Sequence, residues 1–111
     1  MKVELKLNFD TLLAVSTTVN KVYELPATTI ERECIYMSIG FDIADKFESK
    51  TKGLIKKQNL FDHKKLHKIT LKFHEAWALQ AILMDLINTA PNPYQKGLIQ
   101  KVINIIDQKI A

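Results

Sequence analysis

Val3, Leu5, Leu7 and Phe9 alternate with Lys2, Glu4, Lys6 and Asn8 at the start of the chain. A period of two puts all four apolar side chains on one face, so residues 2–9 are expected to form a half-buried strand. The period then lengthens. Leu12, Val15, Val19 and Val22 recur in steps of three and four, predicting a helix over about 10–25 that stops before Pro26, with Asp10 as its N-cap. Thr28 and Glu31 stand three apart as in a capping box, opening a second helix over about 28–52 with Gly53 as its stop. Its stripe runs through Ile30, Cys34, Met37, Phe41 and Ala44, widened by Ile35, Ile39, Ile43 and Phe47. Gly40 inside that helix costs about 1 kcal/mol relative to alanine, which points to a close helix crossing.

A third helix is expected over about 62–89, capped by Asp62, with Leu66, Ile69, Phe73 and Trp77 as the core stripe of its first half. In its second half Leu79 and Ile82 occupy the sector held earlier by lysines. A helix apolar on two sides is buried from two directions, by the fold or by a second subunit. Asn92 and Pro93 then open a last helix over about 92–110, whose apolar residues are Leu98, Ile99, Val102, Ile103, Ile105, Ile106 and Ile110. The expected architecture is mainly α: one domain over 1–111, a four-helix bundle-like fold preceded by a short N-terminal strand.

That strand needs a partner, because an edge this apolar on one side is rarely left open. Residues 54–60 are one candidate, and a strand from another subunit is the other. Val3, Leu5, Leu7, Phe9, Leu79 and Ile82 are therefore the expected interaction residues of a protein that associates with itself or with other proteins.

Charge adds a second face. Nine lysines lie between Lys46 and Lys72 against two carboxylates, Glu48 and Asp62, within a chain of net charge +4. Lys56, Lys57, Lys64, Lys65, Lys68 and Lys72 are the expected contacts to nucleic acid or to an acidic partner. The chain's only arginine is Arg32. Lysine is a hydrated point charge without the guanidinium fork, so such a surface suits diffuse attraction to phosphate more than base recognition. The single cysteine, Cys34, excludes an internal disulfide and fits a reducing compartment. No apolar run approaches the roughly 20 residues of a membrane span, and no signal-peptide block is evident. The expectation is a soluble cytoplasmic protein, or a virion component if it derives from a phage.

Catalytic chemistry finds little support. On a continuous third helix His63, His67 and His74 would fall within about 40° of one another, beside Asp85. His63 and His67 at i and i+4 are weak zinc candidates, since His74 lies too far along the axis to reach the same ion. Cys34 belongs to an apolar stripe, where a thiol packs as a small hydrophobe. Asp42 with Asp45, and Glu31 with Glu33, suit a solvated helix face, and no glycine-rich phosphate loop is present. The chain is expected to be no enzyme and to take neither cofactor nor small-molecule substrate.

A strand, a helix, a tight turn and a capped second helix over residues 2 to about 45 resemble the ribbon-helix-helix DNA-binding family. That resemblance implies that strands from two subunits pair, that Lys2, Glu4 and Lys6 face a DNA groove, and that Thr28 or Thr29 contacts phosphate. Leu25-Pro26 stands where the family has a glycine-containing turn, and the second helix is longer than the family's. The expected function is a non-enzymatic structural or interaction module, homo-oligomeric, of the kind found as phage or mobile-element accessory proteins. A small basic DNA- or RNA-binding regulator is the alternative.

Overall fold

The computed structural model describes residues 2–24, 31–56 and 65–110, and for residues 31–33 the backbone alone. It is a mainly helical fold of four helices with a two-stranded antiparallel sheet: β1 (Lys2–Leu7), α1 (Phe9–Val19), α2 (Glu31–Lys56), β2 (His67–Lys72), α3 (Phe73–Leu86) and α4 (Pro93–Ile110). The four helices and the leading strand agree with the architecture that the hydrophobic periods imply.

β1 finds its partner within the chain. It pairs with β2 in the register Lys2↔Lys72, Val3↔Leu71, Glu4↔Thr70, Leu5↔Ile69, Lys6↔Lys68 and Leu7↔His67. Burial alternates strictly along β1, so Val3, Leu5 and Leu7 lie in the core with Ile69 and Leu71 while the lysines face out. This corrects two expectations. Residues 67–72 form a strand rather than the first half of a long helix. Among the described residues the strand that pairs with β1 is thus β2: residues 54–56 continue α2, and 57–60 lie outside the described residues.

The physical reason is that the segment satisfies both periods. Ile69 and Leu71 alternate with Lys68, Thr70 and Lys72, and the strand reading also satisfies the backbone groups that β1 exposes. Leu66 is consequently exposed, and Phe73 and Trp77 stand at the surface of α3 instead of in a core stripe. The inward face of α3 carries Ala76, Ala78, Leu79, Ile82, Leu83 and Leu86.

α1 is the most enclosed helix, with Leu12, Val15 and Val19 inside, and Val22 follows them on a 3₁₀ turn, Asn20–Glu24. Its N-cap is Asn8, whose Oδ1 accepts the Thr11 N–H at 2.9 Å, and Asp10 falls in the first turn. Gly53 does not stop α2, which runs to Lys56. The Thr28 cap lies outside the described residues.

α2 has 26 residues against 11 in α1 and 14 in α3. At about 1.5 Å per residue it outreaches both partners, so part of its apolar stripe extends beyond the core, where Phe41 stacks on Tyr23 with centroids 5.2 Å apart. Ile43, Ala44 and Phe47 are buried, whereas Cys34, Ile35 and Phe41 are exposed, which corrects the core placement of all three. Gly40 does mark a close crossing: a Cβ there would stand 2.9 Å from Ile82 Cδ1 and 3.4 Å from Val22 Cγ1. α4 closes the fold with Ile99, Val102, Ile103 and Ile106, and Asn92 Oδ1 accepts the Gln95 N–H as the expected cap.

Candidate interaction surfaces

Two surfaces stand out from the residues upward. The first is the outer face of the β1–β2 ribbon. Its alternation turns Lys2, Glu4 and Lys6 outward on one strand and Lys68, Thr70 and Lys72 on the other. The register sets Lys2 opposite Lys72 and Lys6 opposite Lys68. Like charges directly opposite are destabilising in a sheet. Glu4 is the one carboxylate on this face, reached diagonally by Lys68 Nζ at 3.0 Å. The hydrogen bond and charge of Lys68, followed by the charges of Lys6 and Lys109, hold the Glu4 carboxyl below its ordinary value. The end of α4 therefore adds Lys109 to the same positive field.

The lysine run of the sequence is thereby divided. Lys68 and Lys72 join Lys2 and Lys6 on the ribbon, and Lys65 is exposed just before it. Lys56 is exposed at the end of α2, while Lys57 and Lys64 lie outside the described residues. Lys46 is committed elsewhere: its Nζ donates to Thr70 O at 3.2 Å and pairs with Glu75 at 3.3 Å. Glu75 also accepts the Lys72 N–H at 2.8 Å, half of a capping box at the β2–α3 junction. Burial raises the Glu75 carboxyl, but the Lys72 amide and Lys46 outweigh that, so it sits below its ordinary value.

The second surface is the outward face of α3. Phe73, Trp77 and Met84 are 39%, 47% and 58% exposed. At about 100° per residue they fall within about 40° of one another, forming a continuous apolar stripe. Tyr36 of α2 packs its ring on Trp77 with centroids 5.2 Å apart, extending the patch across the helix boundary. On the other side Gln80 donates to Asp107 of α4 at 3.3 Å. His74 and Asp85, both exposed, flank the stripe at its two ends on the α2 side.

The interaction residues expected from sequence do not form this surface. Val3, Leu5, Leu7, Leu79 and Ile82 are buried in the chain's own core and Phe9 is half-buried against it, because β2 and the neighbouring helices cover them. The signal for this exposed stripe is the start of α3 at Phe73; once β2 is a strand, Phe73, Trp77 and Met84 remain as a second stripe on a helix already supplied with a core face.

Other chemistry is sparse. His67 sits on β2 facing the core, so the helical i, i+4 geometry assumed for His63 and His67 does not exist there, and His63 lies outside the described residues. Among the described residues no three His, Cys, Asp or Glu side chains are grouped to hold a metal ion. A shallow groove of about 250 Å³ between α1 and α4 is lined by Asp10, Leu13, Thr17, Tyr94 and Leu98, and across it the Tyr94 hydroxyl donates to Asp10 Oδ2 at 3.4 Å. None of the described helices is long and apolar enough to cross a membrane. The chain matches no family model, no curated protein and no solved structure.

Proposed function

We propose that the protein is a non-enzymatic interaction module that associates with a second copy of itself through the outward face of α3. The observation that carries this reading is Trp77, 47% exposed in the middle of the Phe73–Met84 stripe and backed by the Tyr36 ring. Exposed apolar stripes of this continuity mark association sites, and aromatic side chains and methionine are enriched where proteins meet.

The stripe is self-complementary. A two-fold axis perpendicular to α3 pairs it antiparallel with its copy, and such an interface repeats every contact twice. Phe73 then faces Met84 of the second copy, and the Trp77 region lies over itself. The same operation brings His74 opposite Asp85, because both lie on one flank at opposite ends. An imidazole thus meets a carboxylate across the axis. Three anchors and their rim are modest beside the roughly 800 Å² per partner of a standard interface, which sets the expected dissociation constant at about micromolar.

Sedimentation equilibrium tests the reading. The chain of 12.7 kDa should double its mass as its concentration rises through the micromolar range. Met84→Lys, on a side chain exposed in the monomer, should leave the fold intact and hold the protein at one copy. A wild-type protein that stays monomeric at several hundred micromolar ends the proposal.

A further inference from the structure

We infer that the outer face of the β1–β2 ribbon binds the phosphate backbone of duplex DNA, an activity separate from the α3 surface and resting on different residues. Lys2, Lys6, Lys68 and Lys72 minus Glu4 leave +3 on this face, within a chain whose whole net charge is +4. The rest of the molecule has a net charge of only +1, so most of the net attraction for an approaching polyanion belongs to the ribbon.

Spacing favours a duplex. Four residues along a strand separate Lys2 from Lys6 and Lys72 from Lys68, about 13 Å at the rise of a β-strand. Each end of the ribbon thus carries a cross-strand pair of lysines, the two pairs about as far apart along the backbone as the roughly 12 Å width of the B-DNA major groove. Lys68 pairs with Glu4 at 3.0 Å and would exchange that carboxylate for a phosphate. A two-stranded ribbon fits that groove, and the pairs would reach the phosphates on its two sides. Between them stand Glu4 and Thr70.

Single strands suit the face less well. Their sequence-tolerant binding depends on aromatic platforms, and the outward positions here are lysine, glutamate and threonine only. The deep, narrow major groove of duplex RNA does not admit such side chains. With lysines and no arginine on the face, binding is expected to follow charge and groove width, not base order.

Lysines beside an open strand edge also discourage edge-to-edge pairing. That role predicts no affinity for DNA, so one assay separates the two. Fluorescence anisotropy with a labelled mixed-sequence duplex should give a dissociation constant of about 10⁻⁵ M at about 50 mM salt, measured on the non-associating Met84→Gln protein as well as on the wild type. Four phosphate contacts predict a log–log salt slope of about −3.6, hence about a 150-fold loss between roughly 50 and 200 mM. Lys6→Gln or Lys72→Gln should each reduce the slope by about 0.9. Glu4→Gln, which removes the one negative charge, should tighten binding about fivefold. All these side chains are exposed, and circular dichroism verifies that each variant stays folded.

No binding at about 50 mM salt overturns the inference, as does an unchanged slope in the variant lacking all four lysines. Tighter binding to single-stranded DNA or duplex RNA than to duplex DNA overturns the groove geometry. Tighter binding to poly-glutamate or to anionic vesicles overturns the choice of partner. Met84→Gln, which leaves the charge unchanged, should lose self-association and still bind DNA with a lysine-dependent salt slope, so loss of self-association and loss of DNA binding are read apart.

Discussion

Replacing Gly40 by alanine tests the tightest helix contact in the fold. Alanine gains about 1 kcal/mol over glycine in a helix interior. Against that, the new Cβ would stand 2.9 Å from Ile82 Cδ1, closer than two carbons can approach. Ile82 is buried, so its terminal methyl can move only by displacing neighbours, and such overpacking costs about 2 kcal/mol. Gly40→Ala should therefore destabilise by about 1 kcal/mol, lowering the melting temperature by about 4 °C.

Ile82→Val removes the offending methyl and costs about 1 kcal/mol by itself. In that background the nearest remaining neighbour is Val22 Cγ1 at 3.4 Å, which is ordinary packing. The alanine then expresses its helix gain, and the double variant should match the wild type. The cycle predicts a coupling of about 2 kcal/mol, readable from urea unfolding of the four proteins. Additive effects, with the double variant about 2 kcal/mol below wild type, would falsify the close crossing of α2 and α3.

Three more outcomes follow from the same structure. Asn8→Ala should cost about 1 kcal/mol in urea unfolding, because Thr11 N–H loses its cap. Glu75→Gln should destabilise by about 1–2 kcal/mol at neutral pH through loss of its charge-assisted bonds to Lys46 and the Lys72 amide. The folded-state carboxyl lies below its ordinary 4.5, so its contribution is present above that value and disappears as the pH falls through the folded one. The gap between wild type and variant should accordingly close in acid; a gap independent of pH refutes the assignment. Leu71→Ala should cost about 2–5 kcal/mol and Leu66→Ala less than about 0.5 kcal/mol, a contrast that a helix through 62–72 would not produce.

How much of this was legible in the chain depends on which elements had one period and which had two. Val3, Leu5 and Leu7 fit a strand and nothing else, and Leu12, Val15, Val19 and Val22 fit a helix and nothing else; both were readable, as was the Gly40 crossing. The Asn8 cap was missed because Asp10 caps as well in principle, and only the entry angle of the chain chooses between them. The lysine face was half visible. Lys2 and Lys6 were placed outward by alternation, but their alignment with Lys72 and Lys68 depends on a pairing across more than sixty residues, which no local signal encodes.

The segment around Ile69 shows why the site itself was harder to read than the fold. Leu66, Ile69, Phe73 and Trp77 are spaced for a helix, while Ile69 and Leu71 alternate as in a strand, so local pattern alone leaves the choice undecided. The decision comes from β1, whose unpaired amides and carbonyls require a neighbour and whose apolar face requires the same layer that Ile69 and Leu71 complete. Once that pairing forms, it has two further consequences. Phe73 and Trp77 are released from the core stripe to the surface of α3, and Lys68 and Lys72 are brought level with Lys6 and Lys2. Both proposed surfaces are thus products of one long-range strand pairing. A variant that broke it, such as Leu5→Asp in the centre of β1, should abolish self-association and DNA binding together, whereas Met84→Lys and Lys72→Gln should each remove or weaken one alone.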